Sequence, residues 1–272
     1  MRKRYSFSSR HTGQAKDPKN IRKEKAKFPA ILQKLLYEAD IIIQVLDARF
    51  IEETRNKDLE KYVEKSSKGM IYVINKSDLA EKIKEVPKPH AMVSCKNRKG
   101  IRVLRDKIKI LASRIKKDKI TVGIVGYPNT GKSSLINLLI GKKSAPSAPQ
   151  PGYTKGVQKL KLSGNILLID SPGVIPKEEY SSIEENLITK HTKVGSRSYS
   201  SVKNPEQIIA SLMREFPNLL EEHYSIEAQG NSEILLEELG KRKNLLKKRG
   251  EVNFDSASRL ILKDWQTGKI KV

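Results

Sequence analysis

Residues Gly126–Ser133 have the types and spacing of a loop that binds phosphate. They read G-Y-P-N-T-G-K-S, with two glycines five positions apart and a Lys-Ser pair directly after the second glycine. An apolar run precedes this segment and an apolar helical pattern follows it, which is the context that the motif requires. In such a loop backbone N–H groups converge on the phosphates, Lys132 bridges the β- and γ-phosphates, and Ser133 ligates magnesium. The other nucleotide contacts predicted here are Asn129, Thr130, Gly131 and Ser134.

Two further segments are predicted to meet the terminal phosphate. Asp170 ends an apolar run and begins Asp-Ser-Pro-Gly, so its carboxylate suits a magnesium ligand that acts through water, and the amide of Gly173 suits the γ-phosphate. The hydroxyl of Thr154 is the candidate that completes the magnesium coordination, and the alternative is a solvated loop hydroxyl. The predicted magnesium ligands are therefore Ser133, Thr154 and Asp170, and the predicted catalytic residues are Lys132, Thr154 and Gly173.

The segment Asn75–Asp78, N-K-S-D, has the residue types of a loop that reads guanine. The carboxylate at its end accepts hydrogen bonds from the N1–H and N2–H groups of guanine, which adenine does not offer, so the wrong base leaves a buried acid unpaired. A second loop after the next predicted strand, Ser94–Lys96, supplies a backbone N–H for guanine O6. The predicted base contacts are Asn75, Lys76, Asp78, Ser94, Cys95 and Lys96. We therefore predict that the chain binds GTP and GDP with magnesium.

The charge of the chain favours a polyanionic partner. Its 272 residues include 54 Lys and Arg against 31 Asp and Glu, a formal net charge of +23. Residues 1–36 contain eleven basic and two acidic residues, and residues 241–272 contain ten and three. Positive charge concentrated at both ends favours RNA as the partner over solubility alone or a general bias of composition.

Composition also bears on the compartment. Cys95 is the only cysteine, so the sequence has neither a disulfide framework nor a cysteine-based zinc site. The longest apolar runs are strand-sized, far shorter than a membrane span. The basic start over residues 1–16 could mimic a transit peptide, but it has no sustained apolar face and it contains Gly13. We therefore expect a cytoplasmic protein that does not act at a membrane.

Apolar runs that alternate with helical patterns predict an α/β fold with a doubly wound, mostly parallel sheet. The predicted strands are Ile41–Leu46, Met70–Ile74, Ala91–Ser94 and Lys119–Val125, followed by a hairpin of Lys159–Leu162 and Asn165–Asp170. The predicted helices cover residues 20–38, Ile101–Ile115, Gly131–Ile140, a stretch that Pro205 opens, Ile234–Leu246 and Ala257–Trp265. The domain boundaries that follow are a basic arm at 1–19, a P-loop GTPase domain at 20–190, a linker at 191–204 and a small all-helical domain at 205–272.

The order of the motifs is unusual, because the guanine-reading segment comes before the phosphate loop, whereas ordinary small GTPases begin with the phosphate loop. A parallel sheet tolerates such a circular permutation, since the chain ends lie at the surface and the packing is unchanged. The chain resembles the circularly permuted ribosome-assembly GTPases of the YlqF/RbgA type. Other segments that carry the resemblance are Val45–Arg49, with its Asp-Ala-Arg, and Gly250–Asn253, Ala257–Leu260 and Asp264–Lys269 near the C-terminus.

The resemblance implies GTP hydrolysis that is coupled to maturation of the large ribosomal subunit. It implies that the C-terminal domain contacts rRNA, and we expect the basic arm to contribute to the same interface. The expected partners are therefore rRNA and the large-subunit precursor, and the expected state is a ribosome-associated monomer.

Three positions concern the catalytic step. Val174 stands where Ras-like enzymes have a water-orienting glutamine, as is usual in the family, so another group must orient the water. His11 is the only histidine before the first predicted helix, but its neighbours do not match the Pro-Gly-His-Met of bacterial members, so a contact with rRNA or solvent is favoured over catalysis. Asn129 is a candidate potassium ligand, because related GTPases use Asn at this position to hold that ion; the alternative is that it only satisfies loop backbone groups.

Two other functions stay open at the level of sequence. The chain could be an RNA-binding assembly scaffold with a structural nucleotide and negligible hydrolysis, which Val174 and His11 keep open. It could also be a tRNA-modification GTPase, which shares the Asn-containing loop but normally needs an additional chemistry domain, for example one with a reactive C-terminal cysteine. Because the one cysteine falls in the predicted guanine pocket, ribosome assembly is favoured.

Overall fold

A mostly parallel sheet of six strands forms the centre of the part of the chain that the structure describes. That structure, a computed structural model, describes residues 32–80, 83, 85–141, 158–170 and 185–272. The strands are β1 (Ile41–Asp47), β2 (Gly69–Asn75), β3 (His90–Met92), β4 (Ile120–Gly126), β5 (Gln158–Ser163) and β6 (Ile166–Asp170). Their order across the sheet is β3-β2-β1-β4-β6-β5, and every neighbouring pair is parallel except β5 with β6. The predicted α/β class is confirmed.

Helices cover both faces of this sheet and form a separate cluster after it. The described part of α1 covers residues 32–38. The others are α2 (Ile51–Thr54), α3 (Lys57–Lys65), α4 (Ile101–Ser113), α5 (Lys132–Ile140), α6 (Glu185–Lys193), α7 (Pro205–Glu215), α8 (Leu219–Tyr224), α9 (Ser232–Arg242) and α10 (Phe254–Thr267), with a 3₁₀ turn at Tyr199–Ser201. Asparagine side chains accept backbone N–H bonds at the first turns of α3, α9 and α10, and Pro205 begins α7, where a missing N–H costs nothing.

The strands form because continuous apolar runs can be buried on both faces of a parallel sheet. All seven residues of β1 are buried. One face packs on α4 and α5 through residues such as Leu104 and Leu135, and the other packs on α1 and α3 through Leu35 and Val63. Among the described residues, no helix is both long and apolar enough to cross a membrane.

A second core lies around Trp265 in α10, and it includes residues from the sheet domain. Trp265 is fully buried, with its ring centroid 5.4 Å from that of Phe216 and 5.9 Å from that of Phe50. Phe50 follows β1 and Tyr127 follows β4, yet both are buried in this helical cluster. The helices after α6 therefore share apolar packing with the loops at one edge of the sheet.

The first part of the segment 191–204, which the sequence predicts to be a linker, is packed, since residues 191–196 are all buried. Val194 and Val202 are buried in the same cluster as Trp265. The carbonyl of His191 accepts from the Ser196 hydroxyl at 3.0 Å, so polar residues that suggest a tether are used for internal hydrogen bonds. Composition alone cannot distinguish these two uses of Ser, Lys and Gly. The domain boundaries themselves remain predictions.

Candidate nucleotide-binding site

The predicted nucleotide-binding residues lie at one edge of the sheet, because parallel strands place their carboxyl ends together. Strands β1, β2, β4 and β6 end at Asp47, Asn75, Gly126 and Asp170. In the register of the sheet, Asp47 lies beside Asn75, and Val45 lies beside Gly126. Segments that are far apart in sequence thus meet around one site.

The phosphate loop connects β4 to α5 in a conformation that depends on glycine. Gly131 has φ of 97°, in the left-handed region, and a Cβ there would lie 2.2 Å from Nδ2 of Asn75. Within the loop the hydroxyl of Thr130 donates to the carbonyl of Tyr127 at 2.9 Å. The second glycine of the motif is therefore required both by backbone geometry and by the close approach of the base-reading loop.

Lys132 lies folded over the phosphate loop. Its Nζ donates to the carbonyls of Gly126 at 3.0 Å and Tyr127 at 2.6 Å. Burial lowers the pKa of Lys132 to about 8, while the nearby charge of Asp170 opposes that shift. The ammonium group is thus held beside the backbone that the motif assigns to phosphate binding.

The predicted magnesium ligands that the structure describes have suitable chemistry. Asp170 is fully buried at the end of β6, next to Ile124 of β4, and its charge acts on Lys132. Ser133 lies in the first turn of α5. A buried carboxylate and a hydroxyl are oxygen donors of the kind that magnesium prefers, so these residues fit the ion.

Asn75 joins the three loops that surround the predicted base and phosphate positions. Its Nδ2 donates to the carbonyl of Thr130 at 2.7 Å, and its Oδ1 accepts from the backbone N–H of Cys95 at 3.2 Å. Both ends of a buried amide are therefore satisfied by different loops. Asn75 thus braces its own loop against both of the others.

Asp78 is oriented by the second base loop. The hydroxyl of Ser94, itself buried, donates to Oδ1 of Asp78 at 2.5 Å and accepts from the N–H of Asn97 at 3.1 Å. Cys95 lines the adjacent cavity, where burial raises the pKa of its thiol to about 12 and so disfavours the thiolate. Lys96 is exposed and is not part of that cavity wall.

Lys76 is held by residues that the nucleotide motifs do not include. Its backbone is in the left-handed region, with φ of 60°, which is costly for a residue other than glycine and is concentrated at functional sites. Its Nζ donates to Oδ2 of Asp47 at 2.7 Å, and Asp47 also pairs with Arg49 at 2.9 Å. The sequence singled out Asp47 and Arg49 only through a resemblance and predicted no contact for them. The signal in the sequence is that Asp47 ends β1 and Lys76 follows β2, because charged residues at the ends of two adjacent buried strands lie close enough to pair.

A cavity of about 400 Å³ lies between the base-reading and phosphate loops, and the helical region closes one side of it. The wall contributed by the sheet domain consists of Arg49, Asn75, Lys76, Cys95, Asn129, Gly131 and Ser134. The wall contributed by the segment after α6 and by α10 consists of Gly195, Tyr199, Gln266 and Thr267, none of which the sequence predicted.

Asn129 also connects the phosphate loop to the helical region. Its backbone has φ of 60°, and its Nδ2 donates to the carbonyl of Gly195 at 2.6 Å. Gly195 is fixed in turn, because Gln266 donates to the carbonyls of Thr192 and Arg197 on either side of it at 2.8 and 2.9 Å. The amide of Asn129 is therefore placed at the boundary between the two parts of the chain.

Four of the residues for which the sequence predicts a role lie outside the described residues: His11, Thr154, Gly173 and Val174. The roles assigned to them remain predictions.

Comparisons with known proteins agree with this geometry. A family profile described as "50S ribosome-binding GTPase" matches residues 121–234. The GTP-binding protein MJ1464 of Methanocaldococcus jannaschii is 38% identical over 260 residues, which cover 92% of this chain and 68% of that protein. The crystal structure of GNP-bound YlqF from T. maritima superposes with a TM-score of 0.63 at 26% identity, covering 90% of this chain and 95% of that one.

The chain belongs to the YlqF-type family of GTPases. A further relative is nucleolar GTP-binding protein 2 of Saccharomyces cerevisiae, which is 36% identical to this chain over 256 residues. These residues cover 88% of the chain and 51% of the relative, so the chain spans about half the length of that protein.

Asp78→Asn should weaken GDP binding about 10- to 100-fold, because a hydrogen bond to a charged group contributes about 1.5–3 kcal/mol. The same change should strengthen binding of XDP, whose base presents an acceptor where guanine presents an amino group. Titration of the variant with fluorescent GDP and XDP measures both. Asp106→Asn, at an exposed position of α4, is the control. Wild-type affinity for GDP in the Asp78 variant would contradict the assignment.

Proposed function

We propose that this chain hydrolyses GTP to GDP and phosphate and uses the cycle as a switch in assembly of the large ribosomal subunit. The observation that carries the proposal is the bridge made by Asn75, which joins the guanine-reading loop to the carbonyl of Thr130 in the phosphate loop. The matching family, described as a ribosome-binding GTPase, and the relative named as a nucleolar GTP-binding protein support the assignment to ribosome assembly.

The proposed roles fall into two groups, recognition of the base and binding of the phosphates. Asp78, positioned by Ser94, selects guanine, and Lys76 covers the base. Lys132 moves its ammonium hydrogen bonds from loop carbonyls to the phosphates, where its charge stabilises the transition state. Thr154 and Gly173 contribute the switch contacts that the sequence predicts. Magnesium, held by Ser133, Thr154 and Asp170, supplies neutralisation of phosphate charge when it is bound.

Lys132→Ala should reduce GTP turnover at least about 100-fold, because removal of one group that stabilises developing charge has an effect of that size. Phosphate release under multiple turnover measures the rate. Lys61→Ala on the exposed side of α3 is the matched control and should retain wild-type turnover. If the Lys132 variant turned over GTP at the wild-type rate, this loop would not be the catalytic site.

Potassium is proposed as a second cation at Asn129, where it would stabilise charge on the leaving oxygen. The wild-type protein should therefore hydrolyse GTP faster in potassium chloride than in sodium chloride at equal ionic strength. In Asn129→Ala the two salts should give the same rate. If the wild-type protein hydrolysed GTP at equal rates in the two salts, both with and without large subunits, the potassium role would be ruled out. Asn129 would then keep its bond to Gly195 as its function.

The proposed partner is rRNA in the large-subunit precursor, and the structure adds a basic surface to those that the sequence predicted. Residues 96–119 contain eleven Lys and Arg against two Asp, and they include the whole of α4. Arg102 and Lys109 are exposed on this helix. The C-terminal basic residues lie in the described helical region, whereas the basic arm at 1–19 lies outside the described residues. Cytoplasmic location and a monomeric state remain predictions.

Binding to large subunits should be tighter with a non-hydrolysable GTP analogue than with GDP, because the GTP-like state orders the switch residues.

Arg102→Glu with Lys109→Glu should weaken binding to large subunits and lower the slope of log affinity against log salt, by about 0.7–0.9 per lost phosphate contact. Lys61→Glu with Lys65→Glu, on α3, makes the same change of charge on another face and is the control. Cosedimentation with large subunits measures the binding of the wild-type protein and of both double variants. Equal binding in both nucleotide states would favour a passive scaffold.

A further inference from the structure

Three charged side chains beside the predicted base position form a connected group that reaches α10. Asp47, fully buried at the end of β1, accepts from Nζ of Lys76 at 2.7 Å. The same carboxylate accepts two bonds from the Arg49 guanidinium, Nε to Oδ1 at 3.1 Å and Nη2 to Oδ2 at 2.9 Å. One carboxylate thus holds two cations, and its geometry with Arg49 is bidentate, which fixes direction as well as distance.

The two neighbouring cations favour the ionised form of Asp47. Burial raises the pKa of Asp47, but the charges of Lys76 and Arg49 outweigh burial, so its pKa lies below the usual range. Burial lowers the pKa of Lys76, and Asp47 opposes that shift. Removing Asp47 would leave both cations without their counterion, so this carboxylate holds Lys76 and Arg49 in place.

The other end of the group is the last turn of α10. Nη1 of Arg49 donates to the carbonyl of Trp265 at 3.0 Å, and the guanidinium carbon lies 5.2 Å from the Phe50 ring and 5.8 Å from the Trp265 ring. A cation is favoured there, because the carbonyls at a helix C-terminus carry partial negative charge. Arg49 therefore connects the base-reading loop, through Asp47 and Lys76, to the backbone of the helical region.

A second set of contacts joins the same two elements. The backbone N–H of Val272 donates to the carbonyl of Leu79, which directly follows Asp78, at 2.8 Å. Gly268 lies so close to Leu79 that a Cβ would be 2.7 Å from its Cδ1. Together with Gln266 and Thr267 in the cavity wall, these contacts place the end of α10 against the guanine-reading loop.

We propose that Asp47 and Arg49 are positioning residues of the guanine site: they hold Lys76 in place over the base and couple occupancy of the site to docking of α10. The inference rests on the proposed binding of guanine nucleotide, but not on hydrolysis or on the switches. Because coupling between two sites is reciprocal, a base that fixes Lys76 stabilises the docked α10, and a docked α10 strengthens nucleotide binding. GDP should therefore act as well as GTP, since the base is common to both.

Trp265 gives a direct measurement, because it is the only tryptophan in the chain and lies against Arg49. In the wild-type protein, GDP should change Trp265 fluorescence with the same midpoint that calorimetry gives for GDP binding. Arg49→Lys keeps the charge but cannot reproduce the bidentate pair and the bond to Trp265 together. We expect this variant to bind GDP about 5-fold more weakly, at the lower end of typical coupling, and to lose the fluorescence change. Asp47→Asn should weaken GDP binding about 10-fold, the loss expected for one charge-assisted hydrogen bond.

Arg55→Lys is the matched control. Arg55 also makes a bidentate pair, to Glu60 at 2.9 and 2.6 Å, and lies over the ring of Tyr72, but none of these contacts involves the guanine site. This variant should keep both the affinity for GDP and the Trp265 response. A general loss of packing would instead change the fluorescence of a variant equally with and without GDP.

The outcomes separate the inference from the function on which it rests. No GDP binding to the wild-type protein by calorimetry would overturn the proposed function. GDP binding with no response of Trp265 in the wild-type protein would overturn only the inference, and this measurement does not depend on whether a variant folds. Wild-type affinity together with a wild-type response in Arg49→Lys would overturn it as well.

Discussion

The site depends on a single buried amide that keeps three loops at fixed separation. Asn75 has one hydrogen bond to the phosphate loop and one to the Ser94–Lys96 loop, so neither loop can move away without leaving a buried polar group unpaired. Such a group costs about 1–3 kcal/mol, which is large against the stability of a domain. The absence of a side chain at Gly131 permits this bridge, since a Cβ would overlap the Asn75 amide.

This bridge also explains why the reversed order of the motifs does not alter the site. Strand β1 lies between β2, which carries the guanine-reading loop, and β4, which carries the phosphate loop. Hydrogen bonds between these strands and the Asn75 bridge depend on position in the sheet and not on which segment comes first in the chain. The permutation changes only what is attached to each end.

Local features of the site could be predicted from the sequence, and the contacts that cross between distant elements could not. The phosphate loop and the guanine-reading loop each follow an apolar run, and a loop after a buried parallel strand must lie at its carboxyl end. The bond from Arg49 to the Trp265 carbonyl joins residues that are 216 positions apart, and no periodicity encodes such a contact. The basic face of α4 could not be predicted from the charge of the chain ends, because its charges lie within the predicted GTPase domain and only the helix brings them to one surface.

The segment 191–204, which the sequence predicts to be a linker, makes contacts with both parts of the chain. Lys193, at the end of α6, pairs with Glu215 of α7 at 2.8 Å, and its carbonyl accepts from Nε1 of Trp265 at 2.9 Å. Two residues later the carbonyl of Gly195 accepts from Asn129. These hydrogen bonds connect the helical region to the phosphate loop through Asn129, and they connect α6 to α10 through Trp265. In the proposed cycle the predicted switch residue Gly173 precedes α6 in the sequence, and the segment that follows α6 is already bonded to the phosphate loop through Asn129 and Gly195. A response to hydrolysis must therefore either break these bonds or turn α6, α7 and α10 together, and packed elements of this kind move between discrete arrangements rather than by gradual deformation.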